Sequence, residues 1–311
     1  MTGSSRNHRI GVTAVLFAAI VWGTTGTAAT FAPDVSAAAI GAAAMGVGGL
    51  PQAMLAGRGI LRALPDLRRH WRHLLLGGLA VAIYPLAFYG SMRLAGVTIG
   101  TVVTIGSAPL LSALIEYFLD GALLSRRWLC GAFIGLLGMV VLLCIAEGAA
   151  HEQATTGSAT VAGVGLGLVG GLTYALYSWT ARWLMLRGIK SSASMGATFG
   201  IGGLLLMPVL IAAGGPFLAS WNNAAVGIYM AVVPMFLGYI CFGMGLARIP
   251  ASMATTITLI EPVVAAVLAV AIVGERLPPL GWVGVGLVVS CLIVITVPVK
   301  PVRRKLWVAA Q

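Results

Sequence analysis

A single carboxylate lies in the middle of a long apolar stretch near the C-terminal end of the sequence. Residues 243–282 read GMGLARIPASMATTITLIEPVVAAVLAVAIVGERLPPLGW, with Glu261 and Pro262 at the centre. A carboxylate at mid-membrane depth costs roughly 2.5–3.5 kcal/mol on insertion scales, so we expect it to avoid lipid. The proline removes one backbone donor, which predicts a carbonyl at Thr258 without its usual partner. Together they indicate a protein-lined cavity inside a bilayer.

Aromatic and hydroxyl side chains at similar depth are candidates to line this cavity. The predicted aromatic walls are Trp22, Tyr84, Tyr174, Tyr177 and Tyr239, and the predicted polar contacts are Thr101, Ser107 and Thr258. Pro85, Pro109 and Pro262 are expected to loosen the backbone there. The aromatic side chains are also typical of buried core packing, with Tyr84 next to Pro85 the best candidate for an exception. Hydroxyls in bilayer helices also bond neighbouring helices, so both alternatives stay open.

Two further charged pairs lie near the ends of apolar segments. We interpret Glu116 and Asp120, one helical turn apart, as part of an interfacial charge cluster with the neighbouring arginines. Glu275 and Arg276 are interpreted in the same way. Glu261 therefore remains the main candidate for a functional carboxylate.

The composition excludes a soluble globular domain. Of the 311 residues, 59% are hydrophobic and 9% are charged, and the mean hydropathy is +1.00. The few charges lie between apolar runs, so the net charge of +11 indicates membrane orientation rather than nucleic-acid binding. With the N-terminus inside, all but two of the nineteen Lys and Arg fall in inner segments. Both termini are then predicted to be cytoplasmic.

The fold class predicted is an all-α membrane protein of ten transmembrane helices. Ten apolar segments approach spanning length: 10–31, 35–57, 74–92, 94–118, 128–146, 161–181, 192–213, 224–246, 250–273 and 280–298.

The chain also shows an internal duplication. Gly90 and Pro109 recur 153 positions later as Gly243 and Pro262. A polar connection, 149–160, separates a first half, 1–148, from a second half, 161–311. Because five helices is an odd number, the second half must enter the membrane from the opposite side, which predicts two five-helix inverted repeats. Proline-broken segments at matching positions in such repeats are typical of a transporter's binding site.

Motifs for catalysis are missing from the sequence. It contains no HExxH, no GxSxG and no Gly-rich phosphate loop. The four cysteines lie in apolar runs without metal-ligand spacing. We therefore expect no enzyme activity, no cofactor and no metal. An ATP-driven pump would need a soluble nucleotide domain, for which the chain has no room.

The run EPVVAAVLAVAIVGERL, with the ten segments and the matched prolines, resembles the EamA-type branch of the drug/metabolite transporter superfamily. The resemblance covers essentially the whole chain, as two EamA-like repeats, a periplasmic linker and a basic cytoplasmic tail. The first half departs from the pattern, with Asp120-Gly121-Ala122 where the family often shows Gly-Glu and with Ala108 before Pro109.

The resemblance implies a secondary transporter or facilitator in the bacterial inner membrane. It would export amino acids, aromatic ones preferred, by alternating access around a central cavity, with no cofactor and no nucleic-acid partner. Export of another metabolite, such as a nucleotide precursor, or of a cationic drug is the alternative. The alternatives from other functional classes are a non-transporting membrane scaffold and an intramembrane lipid-modifying enzyme.

Two roles are open for Glu261. It is either a structural hydrogen-bond acceptor that holds the kink at Pro262 or a group that carries a proton during turnover. Glu-Pro recurs in relatives with unrelated cargoes and only one half of this chain carries it, so the sequence favours the structural role.

Overall fold

A computed structural model of the chain describes residues 3–149, 157–273 and 278–297. All regular elements in these ranges are helical. The central part of the predicted periplasmic linker, the Glu275-Arg276 pair and the basic tail lie outside the described residues.

Thirteen helical elements follow one another in the described ranges. They are α1 (Gly3–Gly23, continued by Thr25–Ala29), α2 (Ala37–Leu55), α3 (Gly57–Arg62), α4 (Leu64–Arg69), α5 (Trp71–Ala95), α6 (Val97–Asp120), α7 (Arg126–Ala149), α8 (Gly157–Leu186), α9 (Ser191–Ala213), α10 (Pro216–Ala219), α11 (Trp221–Leu246), α12 (Ala251–Ile272) and α13 (Pro279–Thr296).

Nine of the described helices are long and apolar enough to cross a membrane. They are all of those above except α3, α4, α7 and α10. Each of the ten predicted segments lies mainly on one long helix, and 128–146 lies on the 24-residue α7. The all-helical membrane fold is thus confirmed, whereas the count of ten spanning helices in two inverted repeats stays a prediction.

Helix ends that carry most of the described basic residues meet at one end of the bundle, here named the basic end. Gly11, near the start of α1, faces Arg248 beyond the end of α11, with an added Cβ only 2.9 Å from the arginine Cβ. Gly196, near the start of α9, similarly faces Ala56 at the end of α2. The short helices α3 and α4 lie between the basic-end termini of α2 and α5.

Glycines set the closest helix contacts. A Cβ on Gly163 of α8 would lie 2.6 Å from the Ala95 Cβ at the end of α5. On Gly171 it would lie 2.0 Å from the Ser107 hydroxyl of α6. These two glycines belong to a packing surface of α8, because a side chain at either position would collide with the neighbouring helix.

Candidate substrate cavity

A cavity of about 40 Å³ lies at mid-membrane depth between α1, α2, α5, α8, α11 and α12. Its volume admits a few water molecules but not an amino acid. Its lining residues are Trp22, Thr25, Gly41, Ala44, Met45, Tyr84, Pro85, Phe88, Tyr89, Tyr174, Met235, Tyr239 and Glu261. Both halves of the chain contribute to this wall. Binding of a larger molecule would require the helices to separate.

Two glycines bring the walls of the cavity together. A Cβ on Gly23 of α1 would lie 2.8 Å from the carbonyl oxygen of Glu261, so only glycine lets α1 approach α12 at this depth. A Cβ on Gly41 of α2 would lie 2.3 Å from the ring of Tyr89 on α5. The site therefore depends on close backbone approach as well as on its side chains.

Two π-helical turns supply part of the lining. Ala42–Val47 of α2 carries Ala44 and Met45, and Ala231–Leu237 of α11 carries Met235. The carbonyl of Pro234 in the second turn accepts a hydrogen bond from the Trp22 indole at 2.8 Å. Such turns interrupt regular helical bonding and are frequent at functional sites.

The backbone before Glu261 differs from the sequence prediction. Residues Thr258–Ile260 form a 3₁₀ turn, and the backbone N–H of Glu261 donates to the carbonyl of Thr258. The predicted free carbonyl at Thr258 is therefore wrong, because the tighter turn supplies the donor that Pro262 lacks. The buried Thr258 hydroxyl accepts a hydrogen bond from Tyr174 at 3.0 Å and donates to the carbonyl of Thr255, so it lies behind the cavity wall.

The carboxylate of Glu261 is partly exposed and faces the cavity. Within the described part of the chain it accepts no hydrogen bond and forms no ion pair, and the hydroxyls of Tyr84 and Tyr89 are likewise unpaired. No basic side chain is among the residues that line the cavity. An acceptor and two donors are thus available to a bound molecule, and the carboxylate lacks the partners that a purely structural acceptor would have.

The structure brings the five predicted aromatic residues into one cluster. The ring of Tyr84 lies 5.5 Å from that of Tyr174, and Trp22 lies 4.7 Å from Tyr239. Tyr177 is fully buried, and its hydroxyl bonds that of Tyr239 at 2.8 Å. With Phe199, 4.3 Å from Tyr239, these rings close the cavity toward the basic end.

Four of the predicted contact residues lie outside the cavity lining, Thr258 as described above and three others. Thr101 is partly buried elsewhere on α6, and Ser107 donates to the carbonyl of Thr104. Tyr177 belongs to the closing layer rather than to the lining. Pro109 lies within the continuous helix α6, also outside the cavity.

Phe88 and Tyr89 were missed by the sequence analysis. Phe88 follows Tyr84 by four positions, and Tyr89 follows Pro85 by four. Residues four apart share a helix face, so this spacing could have revealed both.

Glu116 closes the basic end, contrary to its interpretation as a residue of an interfacial charge cluster. Its side chain is only 5% exposed. The carboxylate accepts the backbone N–H of Ala251 at 2.6 Å and both the N–H and the hydroxyl of Ser252. It thereby caps the first turn of α12, where negative charge and acceptors are favoured. The contact joins α6 of the first half to α12 of the second.

Two other polar contacts lie beside this cap. The guanidinium of Arg182 on α8 donates to the carbonyls of Leu246 and Ile249, at the end of α11. Asp120 accepts a hydrogen bond from the indole of Trp179 at 2.7 Å. We name Glu116, Asp120, Trp179 and Arg182 the basic-end latch.

A cavity between two sets of apolar helices, closed at one end by side-chain contacts, is the arrangement expected of a multi-pass membrane transporter. Comparison with known families gives the same class. The model of the EamA-like transporter family matches residues 9–144 and again 161–297. The chain belongs to the EamA-like transporter family.

Several proteins resemble the chain over much of its length. The uncharacterized transporter YwfM of Bacillus subtilis is 30% identical, over 96% of both chains. The threonine/homoserine exporter RhtA of Escherichia coli K12 is 27% identical over 70% of this chain and 72% of its own. A probable terminal-alkyne amino-acid exporter of Streptantibioticus cattleyicolor is 24% identical over 85% of this chain and 89% of its own. A solved crystal structure superposes with a TM-score of 0.72 at 20% identity, over 93% of this chain and 96% of that chain.

Proposed function

We propose that the chain exports amino acids across the bacterial inner membrane, with a preference for aromatic side chains. The observation that carries the proposal is the unpaired carboxylate of Glu261 in a cavity lined by aromatic rings and without a basic residue. An ammonium group is the natural partner of such a carboxylate, and aromatic faces add cation–π attraction. Two amino-acid exporters among the similar proteins support this cargo class.

Once the helices have separated, the remaining groups of an amino acid would also find partners in the cavity. The hydroxyls of Tyr84 and Tyr89 can donate to the carboxylate of the amino acid, since neither hydroxyl has a hydrogen-bond partner among the described residues. The rings of Phe88 and Tyr174 offer surfaces to a large apolar side chain. Within the family, we propose that the chain is most similar to the bacterial aromatic amino acid exporter YddG, which would agree with an aromatic preference.

Transport would proceed by alternating access between two inverted repeats, 1–148 and 161–311. The two stretches that match the family model support this division. With the basic end cytoplasmic, the described conformation is closed toward the cytoplasm by the aromatic layer and the basic-end latch. Cytoplasmic loading would then require both to open.

Counterflow in proteoliposomes tests the proposal. Vesicles loaded with phenylalanine take up labelled phenylalanine, and every amino acid is added in turn as a competitor. We expect phenylalanine, tyrosine and tryptophan to compete best, and vesicles with no protein to show no exchange. Absence of exchange with all amino acids would refute the proposal.

A second candidate function is export of organic cations. The cavity carries one carboxylate and no basic residue, so a net cation would balance its charge better than a zwitterion does. Adding a quaternary aromatic ammonium compound to the same competition panel distinguishes amino-acid export from organic-cation export. Exchange of that compound without exchange of any amino acid would favour this second function.

A further inference from the structure

We propose that a groove at the basic end binds one anionic phospholipid. The groove is separate from the substrate cavity and has a volume of about 360 Å³. It lies between α2, the short helices α3 and α4, and the neighbouring parts of α5 and α9. Thirteen residues line it, and twelve of them are apolar or glycine. The single charged residue in the lining is Arg68.

The groove has the shape that an acyl chain requires. Along α9 its wall runs from Gly196 to Leu204, about 12 Å at the rise of an α-helix. Leu204 is exposed on the bilayer side, and Leu50 of α2 lies in the opposite wall. This wall leads away from Arg68 toward the middle of the membrane, in the direction that a lipid tail takes.

The charges at the groove's end select an anionic head group. Arg58, Arg62, Arg68 and Arg69 are exposed on α3 and α4, and none of them forms an ion pair or a hydrogen bond within the described part of the chain. Asp66 is the one acidic residue on these two helices. An unpaired basic cluster next to an apolar groove complements a phosphate group joined to an acyl chain.

The apolar faces of α3 and α4 fix the cluster at the membrane surface. Leu67 is buried with Leu184 and Ala193, and Ile60 packs against the same group. Trp71 lines the groove and remains half exposed, as expected of an indole at head-group depth. The two short helices therefore lie in the interface with their arginines outward.

Native mass spectrometry of the full chain in detergent tests the proposal. Phosphatidylglycerol and phosphatidylcholine with identical acyl chains are titrated separately. We expect tighter retention of phosphatidylglycerol. Arg68→Gln should reduce this preference about fivefold, the effect of about one basic residue at an anionic surface, whereas Arg68→Lys should retain it. Arg126→Gln, an exposed arginine at the same end but outside the groove, is the matched control.

A second pair of variants tests the acyl-chain site. Leu204→Trp fills the end of the groove that lies farthest from Arg68, whereas Leu205→Trp alters an exposed neighbour that is not in the lining. We expect only the first to weaken phosphatidylglycerol retention, at unchanged melting temperature. Equal retention of both lipids by the unmodified chain, equal effects of Arg68→Gln and Arg126→Gln, or equal retention by both tryptophan variants would each show ordinary annular lipid and overturn the proposal.

Discussion

At the scale of single residues, Glu261 combines partial exposure to the cavity with a lack of hydrogen-bond partners among the described residues. If Glu261 were a structural acceptor, glutamine would replace it well, because the amide oxygen also accepts hydrogen bonds. Alanine would replace it poorly, because each buried donor left without an acceptor destabilises the fold by roughly 1–3 kcal/mol. In the described part of the chain no donor is hydrogen-bonded to this carboxylate. The geometry therefore favours a role toward the cargo, or toward a transported proton, over the structural role that the sequence favoured.

Substitution of Glu261 distinguishes these roles. We expect Glu261→Gln and Glu261→Ala both to fold with nearly the melting temperature of the unmodified chain, and both to lose most amino-acid exchange. Counterflow with and without an imposed pH gradient is the measurement. Loss of the response to the gradient alone would indicate a proton-carrying role. Full activity of Glu261→Gln together with unfolding of Glu261→Ala would restore the structural role.

Tyr84 offers a second test at this scale. Its hydroxyl is unpaired and lines the cavity, so Tyr84→Phe should weaken amino-acid binding about tenfold or more, the usual weight of a hydrogen bond to a charged group. Tyr84→Ala should also weaken the tolerance of cells to toxic phenylalanine analogues. Tyr117→Phe, on the exposed surface of α6, is the matched control. Unchanged competition by phenylalanine in Tyr84→Phe would exclude this contact.

At the scale of helices, the cap that Glu116 places on α12 joins the two halves at the basic end. The position 153 residues later is Ala269, which has no carboxylate. Ala269 therefore cannot make the equivalent contact at the opposite end. This asymmetry should bias the protein toward the conformation closed at the basic end.

Opening of the basic end can be measured by cysteine labelling. Ala254 on α12 is fully buried just beyond the cap. With Ala254→Cys in a background free of native cysteines, we expect Glu116→Ala to speed labelling by a membrane-impermeant maleimide about fivefold or more, and Glu116→Gln to speed it less. Asp66→Ala, which removes an exposed carboxylate at the same end, should leave the rate unchanged. If Glu116→Ala were labelled no faster than the Asp66→Ala control, the role of Glu116 in keeping the basic end closed would be contradicted.

The helices and the cavity were predictable to different degrees. Hydropathy located the helices because a bilayer requires long apolar segments. The carboxylate of Glu261 stood out because charge is rare at that depth. Glu116 gave no comparable signal, since its partner Ala251 is 135 positions away. The 3₁₀ turn at Thr258 was equally hidden, because a missing proline donor does not indicate which neighbouring N–H replaces it.

At the scale of the whole molecule, the distribution of basic residues predicts the orientation in the membrane. Reporter fusions after Ala150 should be active in the periplasm, and fusions after Gln311 should be active in the cytoplasm. A fusion after Arg69, within the basic end, is the internal control for the cytoplasmic side. Finding the first two fusions on the same side of the membrane would contradict the ten-helix arrangement.

The most direct test of the central claim, that Glu261 binds the ammonium group of the cargo, is competition by three related compounds in counterflow. Phenylalanine carries both charges, phenethylamine keeps only the ammonium, and N-acetylphenylalanine keeps only the carboxylate. For the unmodified chain we predict competition by the first two and at least tenfold weaker competition by the third. In the residual exchange of Glu261→Gln, the advantage of the ammonium compounds should disappear. Equal competition by N-acetylphenylalanine in the unmodified chain would contradict the claim.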